Sequence, residues 1–312
     1  MINSKGCILI TPRSLTAGGL DSVAELEPLL RQGFEMVPAS AGRVPDVAEL
    51  ESLLESHDVV GWLAGVEHIS ASLLESANAL RVIARNGVGA ENIDISAANR
   101  QGVEVRTTPG ANAQSVAELA VAHGLSLLRG IPQSNAALHD GRWERTKGRE
   151  LSDIRVGIVG YGAIGRRVAE LFTSLGAAVA VHDPFVPEGR DHTFVDNLDT
   201  LLSQTDLLSL HVPAPSDGPL LNSTRLERMP TGSIVVNTAR AALIDSSAMY
   251  HALESGAVRG YAVDAFDKEP PDLDDVLSHP HTVTTPHVGG YTNASVRRAT
   301  EAAVVQLLEV LE

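Results

Sequence analysis

The segment RVGIVGYGAIGRRVAELF, beginning at Arg155, constrains this chain more than any other. An apolar run suited to a buried strand passes directly into Gly160, Gly162 and Gly165, and these pass directly into a helical pattern. In a GxGxxG set between strand and helix, each glycine has its own physical task. The first allows the tight turn, the second lets backbone approach a pyrophosphate, and the third lets helix and strand pack closely. The first helical amides, at Ala163 and Ile164, then face the phosphates with the positive end of the helix dipole behind them.

Three glycines alone fit any tight loop, so the context matters. The next apolar run, AVAVHD, ends in Asp183, 23 residues after Gly160, close to the offset of a carboxylate that receives ribose hydroxyls. Its negative charge opposes a 2′-phosphate, and Pro184, Phe185 and Val186 supply no cation to offset that repulsion. NAD is therefore the expected cofactor, with Arg190 the nearest following basic residue. The segment reads as a Rossmann-type nucleotide domain.

With 312 residues the chain is long for a single core, and two domains with a cleft between them are expected. A formal charge of −15 opposes attraction to nucleic acid or to an anionic membrane surface, so neither is expected as a partner. An anionic substrate then needs a local arginine to act against the field of the whole molecule. One cysteine, Cys7, excludes an internal disulfide framework and leaves no cysteine cluster for zinc; no metal site is expected. No signal-peptide core and no apolar stretch of membrane-spanning length is visible, and the expected location is cytoplasmic.

Short apolar runs alternate with helical patterns almost throughout, which indicates an α/β protein with parallel sheets. The first series contains GCILI, HDVVGWL, LRVIARN and GVEVRT, followed by a helix from about residue 114. Ser115 and Glu118 have capping-box spacing at the expected start of that helix. The helix is a candidate connection between domains. The second series contains RVGIVG, AVAVHD, DLLSLHVP, SIVVNT, VRGYAVD and HTVTTP. Val296, Ala299, Ala303, Val304, Leu307 and Leu308 have the spacing of an amphipathic helix that packs back on the body. The acidic run DLDDVLSHP at 272 is read as a solvated loop.

Four separated segments, in order, resemble the D-isomer-specific 2-hydroxyacid dehydrogenases, and in feel the phosphoglycerate dehydrogenase branch of that family. They are IARNGVGAENIDISAANRQGVEVRTTPGANAQSVAELAVAHGLSLLR, the LHVP strand end, VNTARAALIDSSAMYHALESGAVRGYAVDAFDKEPP and TPHVGG. The resemblance runs from about residue 55 to the C-terminus. It implies a Rossmann-type NAD domain, 104–284, inserted into a discontinuous flavodoxin-like substrate domain, 1–103 with 285–312. It also implies a homodimer, for which the apolar helix at 114–129 offers surface, and no C-terminal regulatory domain.

The chemistry can be argued from the residues themselves. Reducing a 2-oxo acid needs a cation for the carboxylate and a proton donor for the developing alkoxide, while the nicotinamide supplies hydride. Arg240 offers a planar fork that can hold a carboxylate and polarise the neighbouring carbonyl. His287 can give or take the proton near neutral pH, and Glu269 on its other ring nitrogen would fix the tautomer and favour the imidazolium. The resemblance further implies that Asn86, Gly87, Val88 and Gly89 cradle the substrate carboxylate and that Asp264 meets the nicotinamide amide. It places His211, Val212, Pro213, Thr238, Ala239 and Gly290 along the cofactor.

The chain departs from the family pattern in three places. Ala241 and Ala242 stand where two glycines are usual, and a positive φ there would strain alanine. Glu91 replaces an aspartate, and GWLAG, 61–65, lacks the basic residue that the phosphoglycerate branch places there, which counts against 3-phosphoglycerate. Two other readings of the same scaffold stay open. One is an NAD-sensing, corepressor-like binding protein, which would not need Arg240, Glu269 and His287 together. The other is an oxidation of phosphonate type; formate oxidation is disfavoured because those enzymes carry glutamine where Glu269 stands.

Overall fold

The computed structural model describes residues 5–185 and 192–312. Val186 and Arg190, named above for cofactor choice, lie outside them. The chain divides into two units, one ending at Asn112 and resuming at Thr292–Glu312, the other Ala113–Tyr291. The breaks therefore fall after Asn112 and Tyr291, later than the expected breaks after Val103 and Thr284.

In the first unit, β1 (Cys7–Ile10), β2 (Glu35–Pro38), β3 (Val59–Ala64), β4 (Val82–Arg85) and β5 (Glu104–Arg106) form one parallel sheet in the order β2-β1-β3-β4-β5. This is the flavodoxin-like doubly wound order, with its switch point between β1 and β3. The strands read as nearly continuous apolar runs because helices cover both faces. Leu9, Trp62 and Ile83 face one buried cluster; Ile8, Ile10, Leu63, Val82 and Ala84 face the other. The second cluster is closed by the helix Asn293–Leu311, through Ala303, Val304, Leu307 and Leu311. Thr292 caps that helix by accepting from the Ser295 amide at 3.2 Å.

The second unit holds β6 (Arg155–Val159), β7 (Ala178–His182), β8 (Thr193–Phe194), β9 (Leu207–Leu210), β10 (Ser233–Asn237), β11 (Val258–Val263) and β12 (Thr282–Thr284). All neighbours are parallel in the order β12-β11-β10-β9-β6-β7-β8. The six strands β6 to β11 have the Rossmann order, and β12 extends the sheet by one beyond β11. β2 and β8 are the strands that sequence patterning leaves out; both are edge strands, one of four residues and one of two.

The helix Ala113–Arg129 packs in this second unit, burying Ala117, Ala120, Val121, Leu127 and Leu128 beside Phe172 of the helix Ala163–Ser174. The capping-box reading is corrected here. Since the helix begins at Ala113, Ser115 already lies inside its first turn, and its hydroxyl donates to the Gly289 carbonyl at 2.5 Å. Glu118 instead accepts from Gln114 Nε2 at 2.8 Å. In the acidic run, Asp272, Asp274 and Asp275 are exposed, and Asp274 accepts from the Leu277 amide. No helix among the described residues is long and apolar enough to cross a membrane.

Candidate active site

Parallel pairing sends every strand of the second unit out at one edge, and all its candidate residues follow strand ends there. Gly160 follows β6, Asp183 follows β7 and His211 follows β9; Arg240 follows β10, Asp264 and Glu269 follow β11, and His287 follows β12. Register aligns the last three ends, with Asn237 opposite Val263 and Val263 opposite Thr284.

The three glycines at the first of these ends are held to different degrees by the protein itself. Gly160 has φ +92°, and a β-carbon there would collide with the His211 carbonyl. One on Gly165 would collide with the Gly160 carbonyl. Gly162, the residue just before the helix, would place its β-carbon in open space, with nothing within 4 Å. Turn and packing therefore explain two of the glycines and leave the middle one as the cradle a pyrophosphate needs.

Asp183 accepts from the Tyr161 amide at 2.7 Å and from the Phe185 amide at 2.8 Å, one on each oxygen. A carboxylate has about four acceptor sites, so lone pairs remain for ribose hydroxyls. Farther along the edge, Thr238 Oγ1 and His211 Nδ1 are buried side-chain atoms with no hydrogen-bond partner. His211 Nε2 pairs with Ser209 Oγ at 2.8 Å, and burial pushes this imidazole down to about 3, so it is neutral. Val212 is half-buried and Pro213 exposed. An open glycine, an engaged aspartate and orphaned polar atoms along one edge fit NAD.

At the β10 end, Asn237 is fully buried and ties the turn together. Its Nδ2 donates to the Arg240 carbonyl at 2.8 Å and its Oδ1 accepts from the Ala239 amide at 3.1 Å. This holds Arg240 extended, at φ −145° and ψ 137°, with its side chain exposed and Nη1 donating to the Ala239 carbonyl. Ala241–Leu243 then forms a 3-10 turn, and neither alanine has a positive φ. The anticipated strain is absent because this turn needs no left-handed residue.

Glu269 and His287 meet directly: Nδ1 lies 2.6 Å from Glu269 Oε1. Both side chains are about half exposed, at 54% for His287 and 45% for Glu269. With Glu269 accepting, Nδ1 carries a proton. His287 is the one described non-glycine residue with positive φ, at 51°. What holds it there is Asp264, which is 2% exposed. The Asp264 carboxylate accepts from the amides of Val288 and Gly289, at 2.9 and 2.8 Å, and from the Thr285 hydroxyl at 2.5 Å.

Sequence reading assigns Asp264 to the nicotinamide and misses this role as the clamp of the histidine loop. It also misses His123, buried behind the loop with Nε2 3.1 Å from Thr285 Oγ1. Since that hydroxyl gives its proton to Asp264, His123 Nε2 is the donor. Burial lowers His123 from the ordinary value of 6.5 despite the opposing charge of Asp264. No local pattern marks such a residue, because its partner is 162 positions away. Gly290, half-buried, closes the loop.

In the first unit, the amides of Asn86 and Gly87 already donate to the carbonyls of Ala64 and Arg85. The Val88 and Gly89 amides donate to no protein group among the described residues. The expected four-residue cradle thus has two amides to offer. Asn86 also donates from Nδ2 to Thr300 Oγ1 at 3.2 Å.

A dinucleotide cradle and an arginine, glutamate and histidine at one strand edge define a class: nicotinamide-dependent oxidoreductases of doubly wound α/β architecture. The sequence of residues 121–289 matches the family described as D-isomer specific 2-hydroxyacid dehydrogenase, NAD binding domain. The chain is 37% identical to a hydroxypyruvate reductase of Thermotoga maritima, over 80% of its own length and 83% of that protein's. It is 34% identical to a D-3-phosphoglycerate dehydrogenase of Methanocaldococcus jannaschii, over 84% of its length but about half, 51%, of that longer protein. The crystal structure of the TT0316 protein from Thermus thermophilus superposes with a TM-score of 0.86 at 33% identity, covering 98% of this chain and 96% of that one. The chain belongs to the D-isomer-specific 2-hydroxyacid dehydrogenase family and carries its NAD-binding domain.

Proposed function

We propose that this protein uses NAD(H) to interconvert a small D-2-hydroxy acid and its 2-oxo acid, with Arg240, Glu269 and His287 as its catalytic set. The observation that carries the proposal is the 2.6 Å contact of Glu269 with His287 Nδ1 on side chains that are about half exposed, in which Glu269 does not engage the opposite ring nitrogen. When bound, the nicotinamide supplies the hydride or takes it up. In reduction, His287 gives a proton from Nε2 to the developing alkoxide, and Glu269 stabilises the ring while it is charged. Arg240 neutralises the substrate carboxylate and draws electron density from the carbonyl. Val88 and Gly89 are read as further donors to that carboxylate. The division of labour is a substrate unit, residues 1–112 with 292–312, and a cofactor unit, 113–291.

Asp183 favours NAD over NADP. The protein is further read as a cytoplasmic homodimer. The test is NADH and NADPH oxidation with glyoxylate, pyruvate and longer 2-oxo acids, with the handedness of the product determined. NADH-dependent formation of D-2-hydroxy acid is expected. Tight NADH binding without turnover of any 2-oxo acid would identify a sensor instead.

A further inference from the structure

The helix Ala113–Arg129 carries a buried imidazole that the reaction as described does not use. His123 is 4% exposed, and its Nε2 lies 3.1 Å from Thr285 Oγ1. That hydroxyl donates in turn to Asp264 Oδ1 at 2.5 Å. A hydroxyl has one proton to give, so a donor arriving from His123 fixes its direction and strengthens the bond it makes to the buried carboxylate. Asp264 passes the hold on to the far side of His287, where Oδ1 accepts from the Val288 amide and Oδ2 from the Gly289 amide.

The same helix reaches the other end of this loop through Ser115, whose hydroxyl donates to the Gly289 carbonyl. Ser115 and His123 lie about two turns apart, so one rigid element grips both Thr285 and Gly289. Two glycines make the grip close. A β-carbon on Gly124, beside His123, would lie 2.9 Å from Leu207 Cδ1 and 3.2 Å from Phe172 Cζ, which sets the helix directly against β9 and the helix Ala163–Ser174. One on Gly289 would lie 2.8 Å from Asp264 Oδ2, in the path by which the carboxylate reaches the amide. Between these anchors His287 has φ 51°, a conformation that a residue with a side chain keeps only where its surroundings over-determine it.

We propose that His123 is a positioning residue for His287. Acting through the Thr285 hydroxyl and Asp264, it holds the loop in the conformation that brings His287 Nδ1 onto Glu269. The inference rests on the reductase reading above. What the loop needs of His123 is the proton on Nε2, not its charge. Leucine fills the space but gives no proton to Thr285, whereas glutamine offers an amide donor at about the same reach.

The test is single-turnover reduction of a 2-oxo acid by NADH in the wild type, His123→Leu, His123→Gln and Thr285→Val, each with and without His287→Ala. His123→Leu and Thr285→Val should each slow turnover about five- to tenfold, and His123→Gln should stay within about twofold of wild type. With His287→Ala neither loss should appear, because nothing is left to position. Equal losses in the leucine and glutamine variants, or equal losses with and without His287, would show a packing role and overturn the proposal. Imidazole nitrogen NMR reads the same chain without turnover. In the wild type His123 should carry its proton on Nε2 and neutral His287 on Nδ1, and His123→Leu should move His287 toward the Nε2 tautomer. A wild-type His123 with a bare Nε2 sinks the proposal whichever variants fold, as does an unchanged His287 tautomer in folded His123→Leu. Absence of turnover with any 2-oxo acid, alongside the expected tautomers, would remove the reductase reading and leave the positioning in place.

Discussion

Arg240 is exposed, and its backbone is fixed by Asn237 on both sides, so the guanidinium is presented from a rigid base. An ammonium in its place keeps the charge but loses the planar fork. Arg240→Lys should therefore lower kcat/KM by ~2–4 kcal/mol of transition-state stabilisation, read from steady-state kinetics. Near-normal kinetics would remove Arg240 from the site. His123 belongs to the same edge from the buried side. Burial lowers His123, and pushes His211 to about 3, so both take up a proton less readily in the folded protein than in the unfolded chain, where they do so near 6.5. Their contribution to stability is complete above 6.5 and is lost as pH falls toward the folded values. The melting temperature should drop between about pH 7 and pH 5, less steeply in His123→Leu, and a flat wild-type profile would contradict this. At this scale the sequence shows motif-borne groups such as Glu269 and His287, because their order along the chain is informative. Groups whose roles arise from burial, such as His123, stay hidden, as does the clamp function of Asp264.

Among elements, the turn from β6 into the helix Ala163–Ser174 separates folding from binding within one motif. Gly165→Ala places a methyl against the Gly160 carbonyl and should destabilise the protein by several kcal/mol, visible as loss of soluble, cooperatively melting protein. Gly162→Ala meets no protein atom and should fold normally but weaken NADH binding at least about tenfold, since its methyl occupies the pyrophosphate approach. Equal effects of the two on melting would contradict the assignment of the middle glycine. The interior strands are legible as apolar runs because they are covered on both faces. β2, with the single fully buried residue Val37, and the two-residue β8 carry too little pattern to register. Ser115 misleads for a related reason: spacing alone cannot tell a cap from a hydroxyl inside the first turn of a helix.

For the whole molecule, two doubly wound units with parallel sheets follow from the alternation of strand and helix patterns, whereas their borders do not. Residues 285–291 stay with the cofactor unit because Asp264 and Ser115 bond them there. The apolar face of the helix Ala113–Arg129, expected to be spare surface for a dimer, is largely used inside the unit. Ile131, Leu138 and Trp143, exposed at 54%, 56% and 82%, offer such surface instead. Sedimentation should give twice the chain mass, and Trp143→Arg should shift it toward monomer; a concentration-independent wild-type monomer would refute the dimer. Whether the protein is an enzyme with His287 as its acid and base is decided by single-turnover reduction of a 2-oxo acid by NADH in the wild type and in His287→Ala. The variant should bind NADH with affinity within about threefold of the wild type and reduce the acid about 10²–10⁴-fold more slowly. A variant that turns over within about threefold of wild type would show that proton transfer does not pass through His287.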